Sequence, residues 1–413
     1  LKSQSRYETD AEYQQRILQD LKKSYAVLKK EVGVNPKAII WPYGAVNEQL
    51  EKLAQQAGFQ FSFSLGGDGM NRVSDSTFKR SLVIDNPTAE QLTEGMLNIL
   101  NFEESDLFKQ PRHFVSMDLK QLAAQHNTQT DEKLGQLLSK LYSLKNNALI
   151  LKPLEDKDGD GQYDVAYFPT NQISVQQDIL NRSLWQAQTR AGQSVILELP
   201  AYPQKDKPFL TVDLAKDIAR FNSNLSGVQL NAGSSLNCAM QKITMQESSC
   251  IEQSKQLEQL SELTKKAVKP YLNMSNQAQF SLLLTPDLDH IENLPELIKT
   301  LLLQHDLVNL KFDVIGKKKQ FNELLMLLNT LDENDKQRIM LTLVLPENSQ
   351  KTAWEEVQQG LFSIQRIGIQ KFGIDGYDFE KSKDVHQYLY NPLSLNASPV
   401  MYQPFAGLVE GKK

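Results

Sequence analysis

The sequence predicts an α/β chain in which a C-terminal (β/α)8 barrel of the TIM type follows a partial α/β domain. Three observations predict it. Eight short apolar runs follow one another from His113 onward, at residues 113–118, 148–152, 194–200, 227–231, 279–284, 308–314, 339–345 and 371–375. Helical patterns separate them, near 130–144, 172–191, 211–224, 251–269, 290–304, 318–331 and 351–366, and strict alternation implies a parallel sheet covered by helices. Eight such units over about 300 residues match the size of a closed barrel. A doubly wound open sheet stays as the alternative, because counting strands does not show closure.

The first hundred residues carry their own signals. Thr9 to Glu12 read as a capping box, and Tyr13, Ile17, Leu21, Tyr25 and Leu28 put one apolar stripe on a long helix stopped by Gly33. Residues 38–40 read as a strand leading into Trp41-Pro42-Tyr43-Gly44. Asn47 caps a second helix with Leu50, Leu53, Ala54 and Ala57 on one face and Gly58 as its stop. A strand over 59–65, a Gly-rich turn over 66–69, a short strand over 81–84 and a helix opening at Thr88 follow. Residues 102–112, charged and without periodicity, read as a linker, dividing the chain into 1–108 and 109–413.

Composition narrows the function. The 413 residues are 40% apolar, with 45 basic and 50 acidic side chains. That mild acidity argues against a nucleic-acid binder, whose affinity rests on phosphate neutralisation, and suits a neutral or cationic partner. No apolar run reaches the roughly 18 residues of a membrane span. The chain starts Leu1-Lys2-Ser3, without initiator Met or leader, and so reads as a mature or truncated product. Cys238 and Cys250 lie in a Ser/Asn/Gln-rich stretch. They are either a disulfide formed in an oxidising compartment or two unrelated thiols, and neither has a second ligand at zinc spacing.

The stretches "YETDAEYQQRILQDLKKS", "AIIWPYG" and "NEQLEKLAQQAGFQFSFSLGG" resemble the latter part of a NodB-type polysaccharide deacetylase domain. In particular, they are similar to periplasmic poly-β-1,6-N-acetylglucosamine N-deacetylases of the PgaB type. The stretch "DKDGDGQYDVAYFPTNQISVQQDILNRSLWQAQTRAGQSVILELP" resembles the start of that family's C-terminal glycoside hydrolase barrel. The resemblance implies that the Pro-Tyr-Gly turn lines the deacetylase groove. The backbone N–H of Tyr43 would then contact the oxyanion, with Pro42 and Gly44 shaping the turn and Trp41 beside it. Such a preorganised N–H contributes about 3 kcal/mol to a transition state.

The same resemblance implies a divalent metal in the intact deacetylase, held by an Asp and two His with a neighbouring Asp as base. The five histidines are His113, His126, His290, His305 and His386, so residues 1–112 contain none. The ligands are therefore expected upstream of Leu1, and this chain by itself is expected to carry no cofactor and no deacetylase activity.

Glycoside hydrolysis needs two carboxylates across the scissile bond, which a barrel places at the C-terminal ends of its strands. The family's strand-four end carries a His-Asp-Asp cluster. The matching residues here are Asn231, Ala232 and Gly233, and a family Glu falls near Thr342. Both departures remove ionisable groups, so the barrel is expected to bind deacetylated polymer and to be degenerate as a hydrolase. The alternative is an endo-hydrolase with a relocated carboxylate pair. Carboxylates remain near strand ends at Asp118, Asp156, Glu198, Asp313, Glu347 and Asp375, placed to attract glucosamine ammonium groups, with Tyr202 and Tyr377 as sugar-stacking rings. Taken singly, each also reads as a solvated strand end or cap. The family context implies partly deacetylated poly-β-1,6-N-acetylglucosamine as partner, an outer-membrane export porin beside it, a role in biofilm matrix, and the periplasm or periplasmic face of the outer membrane as location.

Three further features have structural readings. Asp156, Asp158, Asp160, Gly161 and Asp164 follow the first positions of a calcium loop, but Tyr167 stands where the bidentate Glu belongs, so a tight acidic turn is expected. Trp185 and Trp354 read as helix packing. His290 and His305 flank one helix too far apart to share a metal.

Overall fold

Local signals set the first elements as expected. Thr9 Oγ1 accepts from Glu12 N–H and the Glu12 side chain accepts from Thr9 N–H, starting helix α1 (Asp10–Val32), which ends on Gly33 at φ +75°. Strand β1 (Ala38–Ile40) leads through the Pro42–Gly44 turn to helix α2 (Glu48–Ala57), capped by Asn47 and stopped by Gly58 at φ +109°. Strands β2 (Phe61–Phe63) and β3 (Thr77–Phe78) pair parallel with β1 in the order β1-β2-β3. Helix α3 (Ala89–Leu100) follows a second capping box at Thr88. A small core of Leu21, Trp41, Val46, Leu53, Ala54, Ala57 and Phe59 joins α1 and α2 to the sheet.

The computed structural model describes residues 6–66, 69–83, 85–240, 248–274, 276–345 and 351–396. The chain divides into two units, Leu1–Leu107 with Val268–Gln277, and Phe108–Ala267 with Ala278–Lys413. The excursion at 268–277 is tied to the first unit by Tyr271 Oη donating to Asp10 (2.9 Å) and by Met274 N–H donating to Val46 O (2.8 Å). Nothing in the local pattern marked that excursion. The strand expected over 81–84 is not formed, since residues 81–83 have no ladder partner and β3 lies earlier, while residue 84 is outside the described residues. Within the expected linker, residues Glu104–Phe108 form a 3₁₀ turn.

The second unit follows the predicted alternation. In chain order it has β4 (Arg112–Asp118), α4 (Asn127–Leu144), β5 (Ala148–Lys152), the short strands β6 (Leu154–Glu155), β7 (Val165–Ala166) and β8 (Ser174–Val175), α5 (Leu180–Ala191), β9 (Ser194–Pro200), α6 (Leu210–Phe221) and β10 (Gly227–Gly233). Then come α7 (Asn237–Met240), α8 (Ser248–Val268), β11 (Gln279–Leu284), α9 (Leu294–Leu302), β12 (Leu307–Phe312), α10 (Lys318–Asn329), α11 (Glu333–Gln337), β13 (Ile339–Val344), α12 (Lys351–Arg366), β14 (Lys371–Asp375) and α13 (Ser382–Leu393). Eight strands close in the order β10-β11-β12-β13-β14-β4-β5-β9, every ladder parallel. This is the (β/α)8 barrel, and closure excludes the open sheet. The pattern over 172–191 splits, because its first part is spent on β8 and only Leu180–Ala191 is helical.

Inward positions recur every second residue along each strand. Phe114, Ala148, Ile150, Ile196, Leu307 and Met340 form the apolar lower interior, closed from beneath by Phe108. Gly373 is required there, since a Cβ on it would run into the Phe114 carbonyl and ring. Trp185, expected in the core, is instead 57% exposed: Leu180, Ser183, Leu184 and Ala187 form the buried stripe of α5, and Trp185 falls outside it. Trp354 is half-buried against Tyr388, with ring centroids 5.7 Å apart. His290 is exposed and pairs with Asp287, whereas His305 is buried against Ser261. Cys238 and Cys250 are joined by a disulfide linking α7 to α8. Among the described residues, no helix is long and apolar enough to cross a membrane.

Candidate functional site at the barrel mouth

Above its apolar floor the barrel interior becomes polar, then charged. Gln229 on β10 donates to Glu198 (2.9 Å) and accepts from Asn309 (2.8 Å), and Asn309 accepts from Thr342 (2.9 Å). This belt crosses the barrel through four strands, satisfying each buried amide with a neighbour as burial demands. One layer higher, Asn231 donates to the other Glu198 oxygen (2.8 Å). Both oxygens of Glu198 are thus held by amide donors, although Glu198 is only 5% exposed.

The opposite side of the mouth is built on Asp375, at the end of β14. Its two oxygens take Lys152 of β5 and Lys311 of β12, the latter at 3.0 Å, and its side chain is 10% exposed. Burial pushes the Asp375 carboxyl up, but the two ammonium groups outweigh it and hold the carboxyl well below the usual carboxylate range. Burial likewise pushes the Lys152 ammonium down, and the charges of Glu198, Asp375 and Asp118 overcome that and raise it. Asp118, Lys152, Leu154, Tyr163, Glu198, Pro200 and Asn231 enclose a cavity of about 30 Å³. A water needs about 10–15 Å³ by this measure and small-molecule sites run from about 300 Å³, so the cavity admits a water or a small polar group and not a sugar ring.

A larger groove lies on the neighbouring part of the rim, above β10 to β13. Its volume is about 420 Å³, within the size range of small-molecule sites. Asp287, Asp289 and Asp313 bring carboxylates to it, Ser234, Asn237 and Gln320 bring hydrogen-bonding groups, and Phe312 and Val344 supply an apolar surface. Lys317 also lines it, and His290 pairs with Asp287 at 3.0 Å. That carboxylate raises His290.

The structure therefore gathers Asp118, Glu198 and Asp375 around Lys152, and places Asp313 in the adjoining groove. Asp156 sits apart, in a loop where both its oxygens accept backbone N–H groups of Gly159 and Gly161. Asp156, Asp158 and Asp160 are the one group among the described residues whose carboxylates converge enough for a cation, and their bonds to local N–H groups are those of an acidic turn. Tyr202 is 37% exposed. Tyr377, expected as a stacking ring, is corrected: it is 1% exposed, its N–H donating to Ser116 O, so no sugar reaches its face. Glu347 lies outside the described residues. Lys152, Lys311, Tyr163 and Gln229 were not foreseen. An inward-facing lysine at the end of an apolar strand was the available signal for the first two.

In the first unit, Pro42-Tyr43-Gly44 forms a tight turn after β1. Tyr43 holds φ +56°, a left-handed conformation costly for a bulky residue, and is 94% exposed. Gly44 (φ +68°) has no room for a Cβ, which would meet the Leu65 backbone. Trp41 is 7% exposed in the core of the unit, so it supports the turn from beneath and does not face the solvent side of a groove.

Comparison with known proteins gives the relationship. Over 211 residues the chain is 28% identical to the poly-β-1,6-N-acetyl-D-glucosamine N-deacetylase of Escherichia coli K12 and 29% identical to that of Escherichia coli O157:H7. The chain is similar to these PgaB-type deacetylases. The match takes in 50% of this chain and 30% of either deacetylase, so the chain spans about a third of the length of those relatives. Residues 2–62 match the polysaccharide deacetylase family model, and residues 116–225 match that of hypothetical glycosyl hydrolase family 13. The glycoside hydrolase domain of PgaB (BpsB) from Bordetella bronchiseptica has the same fold, with a TM-score of 0.55 and 17% identity over 70% of this chain and 100% of that domain. The deacetylase-like residues 1–107 contain no histidine. They do not supply the Asp and two His that the resemblance implies for a metal, and no step is assigned to one.

Proposed function

We propose that the barrel binds partly deacetylated poly-β-1,6-N-acetylglucosamine without cutting it, and that the intact protein removes N-acetyl groups from this polymer with a divalent metal. The observation that carries the first part is the Lys152–Asp375–Lys311 cluster. Cleavage of a glycosidic bond passes through an oxocarbenium-like state and needs one carboxyl protonated beforehand. A carboxylate kept ionised by two lysines serves poorly as that acid. Two ammonium groups at the mouth also oppose positive charge developing at the anomeric carbon, and the adjacent cavity is too small for a ring. The 420 Å³ groove has what retention of a glucosamine unit requires: carboxylates for the ammonium group, amide and hydroxyl partners, and an apolar wall.

The disulfide is consistent with maturation in an oxidising compartment, and with the family context this favours the periplasm, a role in exopolysaccharide export for biofilm, and an outer-membrane porin as neighbour. Titration calorimetry with deacetylated and fully acetylated oligomers tests the binding. The deacetylated oligomer should bind at least tenfold more tightly, and D287N/D313N should erase that preference. Equal affinity for both oligomers refutes the reading. One observation favours hydrolysis as the second reading, namely that Asp118 and Glu198 line one water-sized cavity.

A further inference from the structure

At the opposite end of the barrel from the mouth, the charges are arranged differently. Lys371 and Arg112 are register partners at the first positions of β14 and β4. They have the same parity as Asp375 and Phe114, so both point into the barrel floor. Lys371 is 1% exposed, and its ammonium group donates to the carbonyl of Phe108, the ring that closes the floor. Arg112 Nη1 is buried and has no hydrogen-bond partner. Among the described residues, neither cation is paired with a carboxylate. Arg338 adds a third positive charge, its guanidinium 5.2 Å from the centre of the Phe108 ring, with its own N–H groups used by the carbonyls of Leu302, His305 and Asp306.

The mouth and the floor thus differ in one respect. At the mouth two lysines share the Asp375 carboxylate, whereas at the floor the buried Lys371 and the part-buried Arg112 share no carboxylate among the described residues. Burial pushes the Lys371 ammonium down to about 7, with the Arg112 charge adding to the effect, and pushes Arg112 down to about 10. Buried like charges without a counter-charge are costly, and an orphaned buried donor calls for a group to accept from it.

We propose that the barrel floor binds a small inorganic anion, of halide size, between the Arg112 guanidinium and the Lys371 ammonium. The unused Nη1 donor and the remaining Lys371 protons supply its hydrogen bonds. Phe108 and the apolar cluster of Phe114 and Met340 pack around this end of the barrel, which favours a monatomic ion over a ligand with organic bulk. Asp306 and Asp335 act on Arg338, and the anion gives Lys371 and Arg112 the counter-charge that no ion pair among the described residues provides, independently of the sugar-binding mouth.

The test is thermal unfolding of the full chain at about pH 6.5 in sodium gluconate, with chloride or bromide replacing gluconate at constant ionic strength. A saturable rise in Tm of about 3 °C is expected with either halide. K371M and R112M are each expected to fold, since each replaces a buried or part-buried cation with an apolar chain of similar length, and neither should respond to halide. Bromide-soaked crystals should show an anomalous peak within hydrogen-bond reach of Arg112 Nη1. Equal Tm in gluconate and chloride, or a halide response that survives in K371M, overturns the proposal.

Discussion

Replacing Asp375 by Asn removes the charge on which two lysines converge. The Asp375 side chain is 10% exposed and its carboxyl is lowered from 3.8 to about 2, so solvent screening takes little from the interaction. A shift of that size corresponds to about 2 kcal/mol of stability, at 1.36 kcal/mol per pKa unit. Leaving Lys152 and Lys311 without their shared partner raises the expected cost toward about 3 kcal/mol, moderated because each lysine side chain is still 20% exposed. For an acid with a depressed folded pKa the contribution is complete above the unfolded value and disappears as pH falls through the folded one. The D375N deficit should therefore be constant from pH 8 to pH 5 and shrink below pH 4. Urea unfolding followed by near-ultraviolet circular dichroism measures it, with a midpoint about 1 M lower at pH 7. The triple variant K152M/K311M/D375L should recover most of the loss, because a well-packed apolar replacement of a buried ion cluster is close to neutral. A D375N midpoint equal to wild type at pH 7 refutes the account of the mouth.

Other outcomes follow from the same structure. Lys371, lowered from 10.5 to about 7, makes stability rise with pH between those values, since the unfolded chain there binds the extra proton. In halide-free buffer K371M should be more stable than wild type by about 2–4 kcal/mol at pH 6, with the gap closing toward pH 10 in urea titrations. Reducing the Cys238–Cys250 bond, which spans a sequence separation of 12, should cost about 3 kcal/mol of barrel stability, read by urea unfolding with and without a dithiol. Gly44→Ala should destabilise the first unit by more than about 2 kcal/mol through its clash with Leu65, whereas Tyr43→Gly should gain up to about 1 kcal/mol by relieving the left-handed backbone; hydrogen exchange in β1 and β2 separates the two.

The barrel was legible because its determinants are local. Each strand is a short apolar run, each helix has a periodic face, and the caps at Thr9, Asn47 and Thr88 lie where side-chain chemistry puts them. The mouth was legible only by halves. Acids near strand ends announce themselves, so Asp118, Glu198, Asp313 and Asp375 could be named. Whether such an acid is free or neutralised depends on inward lysines from strands far away in sequence, and a linear reading does not pair residue 375 with 152 and 311. Tyr377 and Trp185 exchanged their expected roles for a related reason. One residue's rotation about a strand end or helix axis decides burial, and sequence position fixes that rotation loosely. The excursion at 268–277 depends on contacts with Asp10 and Val46 that span more than two hundred residues.

The most direct trial of the central claim is a mass spectrum of partly deacetylated poly-β-1,6-N-acetylglucosamine oligomers taken after prolonged incubation with the chain, beside a no-protein control. The account predicts an unchanged distribution of chain lengths under conditions in which the oligomers are bound. Shorter oligomers that accumulate with time, and vanish in a D118N/E198Q variant, would contradict it.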